Sequence, residues 1–292
     1  MKILILGANG FTGRRILRRL APQHQIMACS LHPDILPEKG YEFRTLDVMD
    51  AEALGVLLAE FRPEVMINAS ALSVVDYCEQ HPEEAIAMNV TVVKHLAEYS
   101  EANACRLIHL STDFVFDGTS AQAYQETDVP NPVNHYGKTK RWGEEAIGQA
   151  CSNYAIVRVE VVYGKPFPGQ HGNIVHLVKN RLENGQEIRV VSDQFRSPTW
   201  VEDIASAVEV LLSDKYRGIY HICGGETLSV AEIAYRVASY FHLDEKLIHP
   251  VTTEEMNEAT PRPLFSPMNT EKAFREWGYQ PSRLEEGFQE WI

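Results

Sequence analysis

The sequence predicts an α/β protein, a doubly wound parallel sheet followed by a smaller C-terminal α/β lobe suited to binding substrate. Three observations carry this. Short continuous apolar runs alternate with helical stretches five times before residue 150. A glycine cluster, Gly7-Ala8-Asn9-Gly10-Phe11-Thr12-Gly13, joins the first run to the first helix. The regular alternation then weakens after the strand at residues 154–159. Repeated strand–helix alternation implies right-handed crossovers within one parallel sheet. Residues 1–164 are expected to form the dinucleotide-binding part. Residues 165–292 are expected to form the substrate lobe, partly interleaved with the first.

Lys2-Ile3-Leu4-Ile5-Leu6 is a short apolar run, as expected of a strand buried on both faces. After the glycines, Ile16, Leu17 and Leu20 recur at helical spacing. The glycines thus fall between a strand and a helix start, the context that gives such a pattern meaning. Gly7 permits a tight turn, Gly10 lets backbone approach a pyrophosphate, and Gly13 allows close helix–strand packing. The helix start then offers unpaired N–H groups to phosphates.

Residues 25–30 read as the second strand, running into Ser30-Leu31-His32-Pro33. An acid at its tip would bind the adenosine ribose and select NAD. None stands there, nor does an arginine, so the cofactor expected is NADPH with NADH as the second option. Asp34 reads as a loop acid. Residues 43–48 read as a third strand, with Asp47 placed either to accept from an adenine amino group or to cap the helix over 51–61. Pro63 breaks that helix before strand 65–68, and the small residues Ala69-Ser70-Ala71 follow. Pro82 opens a helix expected to reach about residue 103. Strand 106–110 leads into Ser111-Thr112-Asp113-Phe114-Val115-Phe116-Asp117-Gly118. The second half offers helices over 173–183, 201–212, 229–241 and 270–277 and strands over 186–191 and 219–222.

The balance of 45% hydrophobic and 23% charged residues is that of an ordinary globular protein. Lys+Arg 27 against Asp+Glu 40 gives a net charge of −13, which argues against nucleic acid or anionic membrane as partner. Five scattered cysteines, Cys29, Cys78, Cys105, Cys151 and Cys223, fit small buried hydrophobes better than disulfides or a metal site. A cytoplasmic setting follows. No apolar stretch is long enough for a membrane span, and no signal-peptide pattern precedes the first strand.

Tyr136-Gly137-Lys138-Thr139-Lys140 places a phenol and an ammonium four residues apart, on one face of a helix. An ammonium beside a phenol is expected to lower its pKa from about 10 and make Tyr136 a usable proton donor. The spacing alone equally fits a half-buried tyrosine with a snorkelling lysine. What favours chemistry is convergence: the glycine turn, Asp47, Ala71, Thr112 and the Tyr136 helix all fall at the carboxyl edge of the sheet, where ligands of such sheets bind.

Taken together, the Gly7–Gly13 turn, the Ser111-Thr112 hydroxyls and Tyr136-x-x-x-Lys140 resemble an extended short-chain dehydrogenase/reductase with a Rossmann-type fold. Over nearly its whole length the chain resembles the dTDP-4-dehydrorhamnose reductase family. The segments 67–71, 111–118, 136–140 and 193–199 carry that resemblance, as do Val75-Asp76 and Arg262-Pro263 with Ser266. Two departures stand out. The family commonly has an Arg-Thr-Ser-Trp-like run where this chain has Arg158-Val159-Glu160-Val161, and Leu72 follows Ala71 where a polar or aromatic residue is common.

The resemblance implies a nicotinamide-dependent reduction of a keto group on a nucleotide sugar, with Thr112, Tyr136 and Lys140 catalytic. It implies a cofactor site formed by Gly7, Asn9, Gly10, Phe11, Thr12, Gly13, Ser30, Asp47, Val48, Ala69, Ser70, Ala71, Tyr136 and Lys140. Ser73, Val75, Ser111, Asp113, Asn173, Arg196 and Arg262 are the residues expected to meet the substrate. The arginines suit its phosphates because a guanidinium binds phosphate bidentately; they equally fit solvated loops. Asp113 either orients the sugar or caps a turn. Metal is not expected, and a homodimer is allowed. An epimerase or dehydratase on the same scaffold, and a non-catalytic NADP-binding subunit like that of methionine adenosyltransferase, are the competing readings.

Overall fold

The computed structural model describes residues 1–35, 38–170 and 172–292. Seven parallel strands form its main sheet: β1 (Lys2–Leu6), β2 (Gln25–Ser30), β3 (Glu42–Thr45), β4 (Val65–Asn68), β5 (Arg106–Thr112), β6 (Tyr154–Val159) and, far along the chain, β11 (Gly218–His221). Their order is β11-β6-β5-β4-β1-β2-β3. The chain runs outward from β1 through β2 to β3, then returns to lay β4 on the other side of β1. Connections at the carboxyl ends of β1 and β4 therefore diverge and leave a crevice.

Alternation along the strands sorts the core into two layers. Ile3 and Ile5 join Ile16, Leu17 and Leu20 of α1 (Phe11–Leu20) in one apolar cluster. Leu4 and Leu6 join Leu54, Leu57 and Leu58 of α2 (Ala51–Phe61) and Leu96 in the other.

The third strand is shorter than the sequence predicts, because the chain turns away after Thr45; Leu46 N–H still donates to the Ser30 carbonyl. Asp50, not Asp47, caps α2, accepting from the N–H groups of Glu52 and Ala53. Asp47 instead closes a turn on the Met49 N–H at 2.9 Å. The single helix expected from Pro82 is interrupted. It comprises α4 (Pro82–Ile86), a π-helical turn at Ala87–Thr91 and α5 (Val92–Ala102), preceded by α3 (Val75–Gln80). The wide turn aims Asn89 inward, where its amide pairs with the N–H and carbonyl of Leu72 and with Thr139 Oγ1. Such π-bulges are frequent beside functional sites. Helix α6 (His135–Ala150) lies against it, so closely that a Cβ on Gly143 would come 2.4 Å from the Asn89 carbonyl oxygen.

After β6 and the short β7 (Val162–Tyr163) come α7 (Ile174–Glu183), β8 (Ile188–Val191), β9 (Phe195–Arg196), β10 (Thr199–Trp200) and α8 (Val201–Val210). Following β11 are β12 (Leu228–Ser229), α9 (Val230–Phe241) and β13 (Ile248–Val251), which pairs in parallel with β8. A separate apolar cluster joins Val175 and Val178 of α7 to Ile233 and Val237 of α9 and to Phe288. β11 and α8 return to the main sheet, and α8 supplies Ile204 and Val208 to the α1 layer. All five cysteines are buried and free, as small hydrophobes would be. Among the described residues no helix is long and apolar enough to cross a membrane.

Candidate active site

The glycine turn is built at the limit of what backbone can approach. Gly7 has φ +78°, and a Cβ there would lie 2.7 Å from the backbone of Ala69 and Ser70. A Cβ on Gly13 would lie 2.1 Å from the Gly7 carbonyl oxygen. The start of α1 has no side-chain cap, which leaves its first N–H groups open to an anion. Ser30 Oγ accepts from the Asn9 N–H at 3.1 Å, and the Asn9 amide donates to the carbonyls of His32 and Pro33. Asp34 is engaged by the buried Arg14 and by the Tyr41 hydroxyl, so the loop acid helps to shape the turn. Gln170 reaches over from the second half of the chain, donating to the carbonyls of Asn9 and Gly10.

Facing this turn is α6. Asn134 caps it, accepting from the Gly137 N–H at 2.9 Å, and its Nδ2 donates to the Pro261 carbonyl at 2.9 Å. Gly137 sits against the Phe114 carbonyl oxygen, 2.1 Å from where a Cβ would be, so residue 137 must lack a side chain for Tyr136 to reach its place. Tyr136 is 9% exposed and Lys140 1%. Both line a cavity of about 370 Å³ with Gly10, Phe11, Thr12, Ala69, Ala71, Ser73, Leu110, Ser111, Val159, Val162, Gly172 and Asn173. A wider groove of about 900 Å³ at the opposite end of the sheet is lined by Arg62 and Arg106, among others. The Arg106 guanidinium there is taken up by the carbonyls of Leu211 and Tyr216 and by Asn153.

The phenol does not behave as the spacing predicts. Burial pushes the Tyr136 pKa up, a hydrogen bond with Thr112 draws it part of the way back, and Asp113 and Cys78 raise it. Lys140 is not among the groups that set it. Its Nζ donates instead to the Leu110 carbonyl at 2.7 Å and lies 3.1 Å from His109 Nε2. Burial lowers the lysine to about 8, against an opposing pull from Glu144. His109 is held well below its usual value by burial and then by Lys140. Asn68 Nδ2 approaches the other ring nitrogen at 3.1 Å, while its Oδ1 accepts from the N–H and hydroxyl of Ser70.

Several residues expected at the substrate lie elsewhere or have their polar atoms engaged. Ser111 borders the cavity, but its hydroxyl donates to Glu144, which forms a buried bidentate pair with Arg158. Asp113 is buried behind Thr112, accepting from Thr112 Oγ1 at 3.0 Å and from Ser266. The turn is capped by Thr112 itself, through the Phe114 N–H. Arg196 is buried and donates to the carbonyls of Phe195 and Pro263. Arg262 is partly exposed and paired with Glu258 at 2.8 Å and Asp76 at 3.7 Å. Asn173 caps α7 while also donating to the Val162 carbonyl. Val75 packs in the apolar cluster that holds Tyr136. Sequence reasoning passed over His109, Asn89 and Gln170. A histidine inside a run as apolar as Leu107-Ile108-His109-Leu110 was the available signal, since a buried ring needs partners.

A nucleotide-binding glycine turn and a Tyr-x-x-x-Lys helix facing one cavity on this sheet define an extended short-chain dehydrogenase/reductase. The chain belongs to the RmlD substrate binding domain family, which matches it over residues 1–292. It is 32% identical to the spore coat polysaccharide biosynthesis protein SpsK of Bacillus subtilis, covering 100% of this chain and 96% of that one. It is 34% identical to methionine adenosyltransferase 2 subunit beta of Xenopus tropicalis (90% and 78%). To dTDP-4-dehydrorhamnose reductase of Salmonella typhimurium it is 31% identical (93% and 90%). Among solved structures, a dTDP-4-dehydrorhamnose reductase from Clostridium acetobutylicum superposes with a TM-score of 0.89 at 30% identity, covering 100% of this chain and 98% of that one. One from Bacillus anthracis, in complex with NADP, gives 0.85 at 28% identity (99% and 97%).

Proposed function

We propose that this protein is an NAD(P)H-dependent reductase of a 4-keto nucleotide sugar, with dTDP-4-dehydro-L-rhamnose, reduced to dTDP-L-rhamnose, as the best-supported substrate. The observation that carries this is the meeting of the open helix start at Gly10–Thr12 with Tyr136 and Lys140 around one cavity. The reductases among the relatives, one holding NADP, support both the reaction and NADPH as the cofactor, with NADH as the alternative.

The turn fits a dinucleotide: a Cβ would fill the space at Gly7 and Gly13, and Gly10, Phe11 and Thr12 at the uncapped helix start line the cavity, where their N–H groups would hold phosphates. The bound nicotinamide would supply hydride to the carbonyl carbon. Tyr136 gives its proton to the carbonyl oxygen; a phenol kept protonated by burial is an acid held ready for that step. Thr112 steadies the developing alkoxide. Lys140, anchored on the Leu110 carbonyl, would hold the nicotinamide ribose. Residues from 165 onward supply the nucleotide side of the substrate site.

The test is a panel of 4-keto nucleotide sugars with NADPH and NADH, followed at the nicotinamide absorbance. Consumption of NADPH with dTDP-4-dehydro-L-rhamnose is expected; no turnover with any member would sink the reading. The 34% identity to a methionine adenosyltransferase subunit favours one rival, a non-catalytic dinucleotide-binding subunit. Copurification with a transferase and a silent panel would decide for it.

A further inference from the structure

Next to Thr112, Asp113, Ser266, Glu160 and Arg196 meet in the interior. Glu160 stands where this chain departs from the family's usual run, and it is 1% exposed. Ser266 Oγ lies 2.6 Å from Asp113 Oδ2 and 3.3 Å from Glu160 Oε1. A hydroxyl has one proton and can donate to only one of two carboxyls. The shorter contact takes it, so the contact with Glu160 needs a hydrogen on the glutamate. Among the described residues Glu160 Oε2 is buried without a hydrogen-bond partner, a place where a carboxylate oxygen would be poorly compensated and an acid carbonyl is tolerable.

Charge leads to the same assignment. Arg196 is the one cation in the group; its Nε is 3.9 Å from Asp113 Oδ2, and its other N–H groups go largely to carbonyls. One guanidinium does not neutralise two carboxylates; burial raises Asp113 as well, but Arg196, Ser266 and Thr112 oppose the rise, so the proton resides on Glu160, the more strongly raised of the two, and the charge on Asp113. Burial, and then the Asp113 charge, hold Glu160 well above the usual carboxyl range, although Arg196, Ser266 and the Ser197 N–H oppose this. The Cys223 thiol on the neighbouring segment is pushed well above its usual value too, chiefly by burial, and stays neutral.

We propose that Glu160 is a positioning residue for the reduction, a neutral acid whose proton sets the direction of the Thr112 hydroxyl through Ser266 and Asp113. This rests on the reading that Thr112 meets the substrate carbonyl. As the structure stands, the Thr112 hydrogen is committed to Asp113 Oδ1. Passing the proton along the chain breaks Glu160 Oε1–H and forms a new Ser266 Oγ–H. The old Ser266 O–H breaks and Asp113 Oδ2–H forms, so the negative charge moves from Asp113 to Glu160, where Arg196 and the Ser197 N–H offset part of the cost of burying it. Asp113 then accepts more weakly, and the Thr112 hydrogen turns to the oxygen on which charge develops. Product release reverses the shift.

The test uses the full chain and Glu160→Gln, which keeps shape and a donor for Ser266 but has no acidic proton to pass. With NADPH and the keto sugar that the parent turns over, kcat is expected to fall on the order of tenfold or more with KM little changed and a flattened kcat–pH profile. Thermal melting reports that the variant is folded. Independently of activity, infrared difference spectra of parent against Glu160→Gln should show one protonated-carboxyl stretch in the parent alone at neutral pH. Parent-like kcat and pH profile in Glu160→Gln would overturn the proposal, as would absence of that band from the parent. A parent silent on every sugar would instead overturn the reductase reading, and the infrared band would still decide whether Glu160 carries the proton.

Discussion

Lys140 Nζ lies 3.1 Å from Nε2 of His109, a wholly buried ring on the strand that ends in Thr112. Two groups that are cations in acid thus share one dry pocket, and burial lowers the pKa of each. The lysine titrates at about 8 in the folded protein and near 10.4 when unfolded. Between these values the unfolded chain binds more protons, so this group makes stability rise with pH. The buried cysteines, whose pKa values are raised, act oppositely in the same alkaline range. Lys140→Met isolates the lysine. Urea midpoints at pH 7 to 10 should show the parent gaining on the variant as pH rises; parallel curves would contradict the assignment.

Tyr136→Phe removes the phenol hydroxyl to which the proposed reaction assigns the proton and leaves the packing against Phe114. Turnover should drop about 10²–10⁴-fold, with dinucleotide affinity, read by nicotinamide fluorescence, close to that of the parent. Near-normal turnover would rule out the acid role.

Gly13→Ala forces a methyl to within 2.1 Å of the Gly7 carbonyl oxygen, with backbone as the obstacle. Overpacking of this kind costs about 1–3 kcal/mol, and the displaced turn should weaken dinucleotide binding. Gly55 makes the control, because a Cβ there meets nothing within 4 Å. Melting temperature and dinucleotide titration distinguish the two.

Glu144→Ala strands the Arg158 guanidinium in the interior, where the pair is 5% and 1% exposed. Breaking such a pair from one side costs about 3–5 kcal/mol. A companion change, Arg158→Met with Glu144→Leu, should recover much of that loss in chemical denaturation, since the penalty is the orphaned charge. Ser111, which donates to Glu144, would lose its acceptor in both variants.

The sheet and its ligand edge were legible because they follow from local pattern. Apolar strands such as Lys2–Leu6 and Val65–Asn68 alternate with helices, and the glycines of 7–13 fall between the first pair. Helix starts were legible to within a residue, as at α7 and the helix Glu271–Trp277, but caps were less so: Asn173, expected at the substrate, caps α7, and Asp50 rather than Asp47 caps α2. What a pattern does not carry is the destination of a polar atom after folding. Arg196 reads as a phosphate binder in a polar loop, yet residues near 263 fold over it and take up its N–H groups. Tyr136 and Lys140 share a helix face, as their spacing says, but the lysine is drawn to a carbonyl of β5. The π turn at Ala87–Thr91 has no signature in hydrophobic period; it arises from Asn89 satisfying Leu72 and Thr139 at once.

Asn134 gives one end of its amide to the first turn of the tyrosine helix and the other to Pro261. The segment at Pro261 is therefore part of the scaffold under Tyr136. The nucleotide turn is framed largely by residues 7–13, 30 and 69–70. Loss of residues from 261 onward would take that support from α6 and, at the same time, remove Glu290 from Arg15 and Ala273 and Tyr279 from the layer behind α1, so both walls of the cavity lean on the same distant stretch of chain.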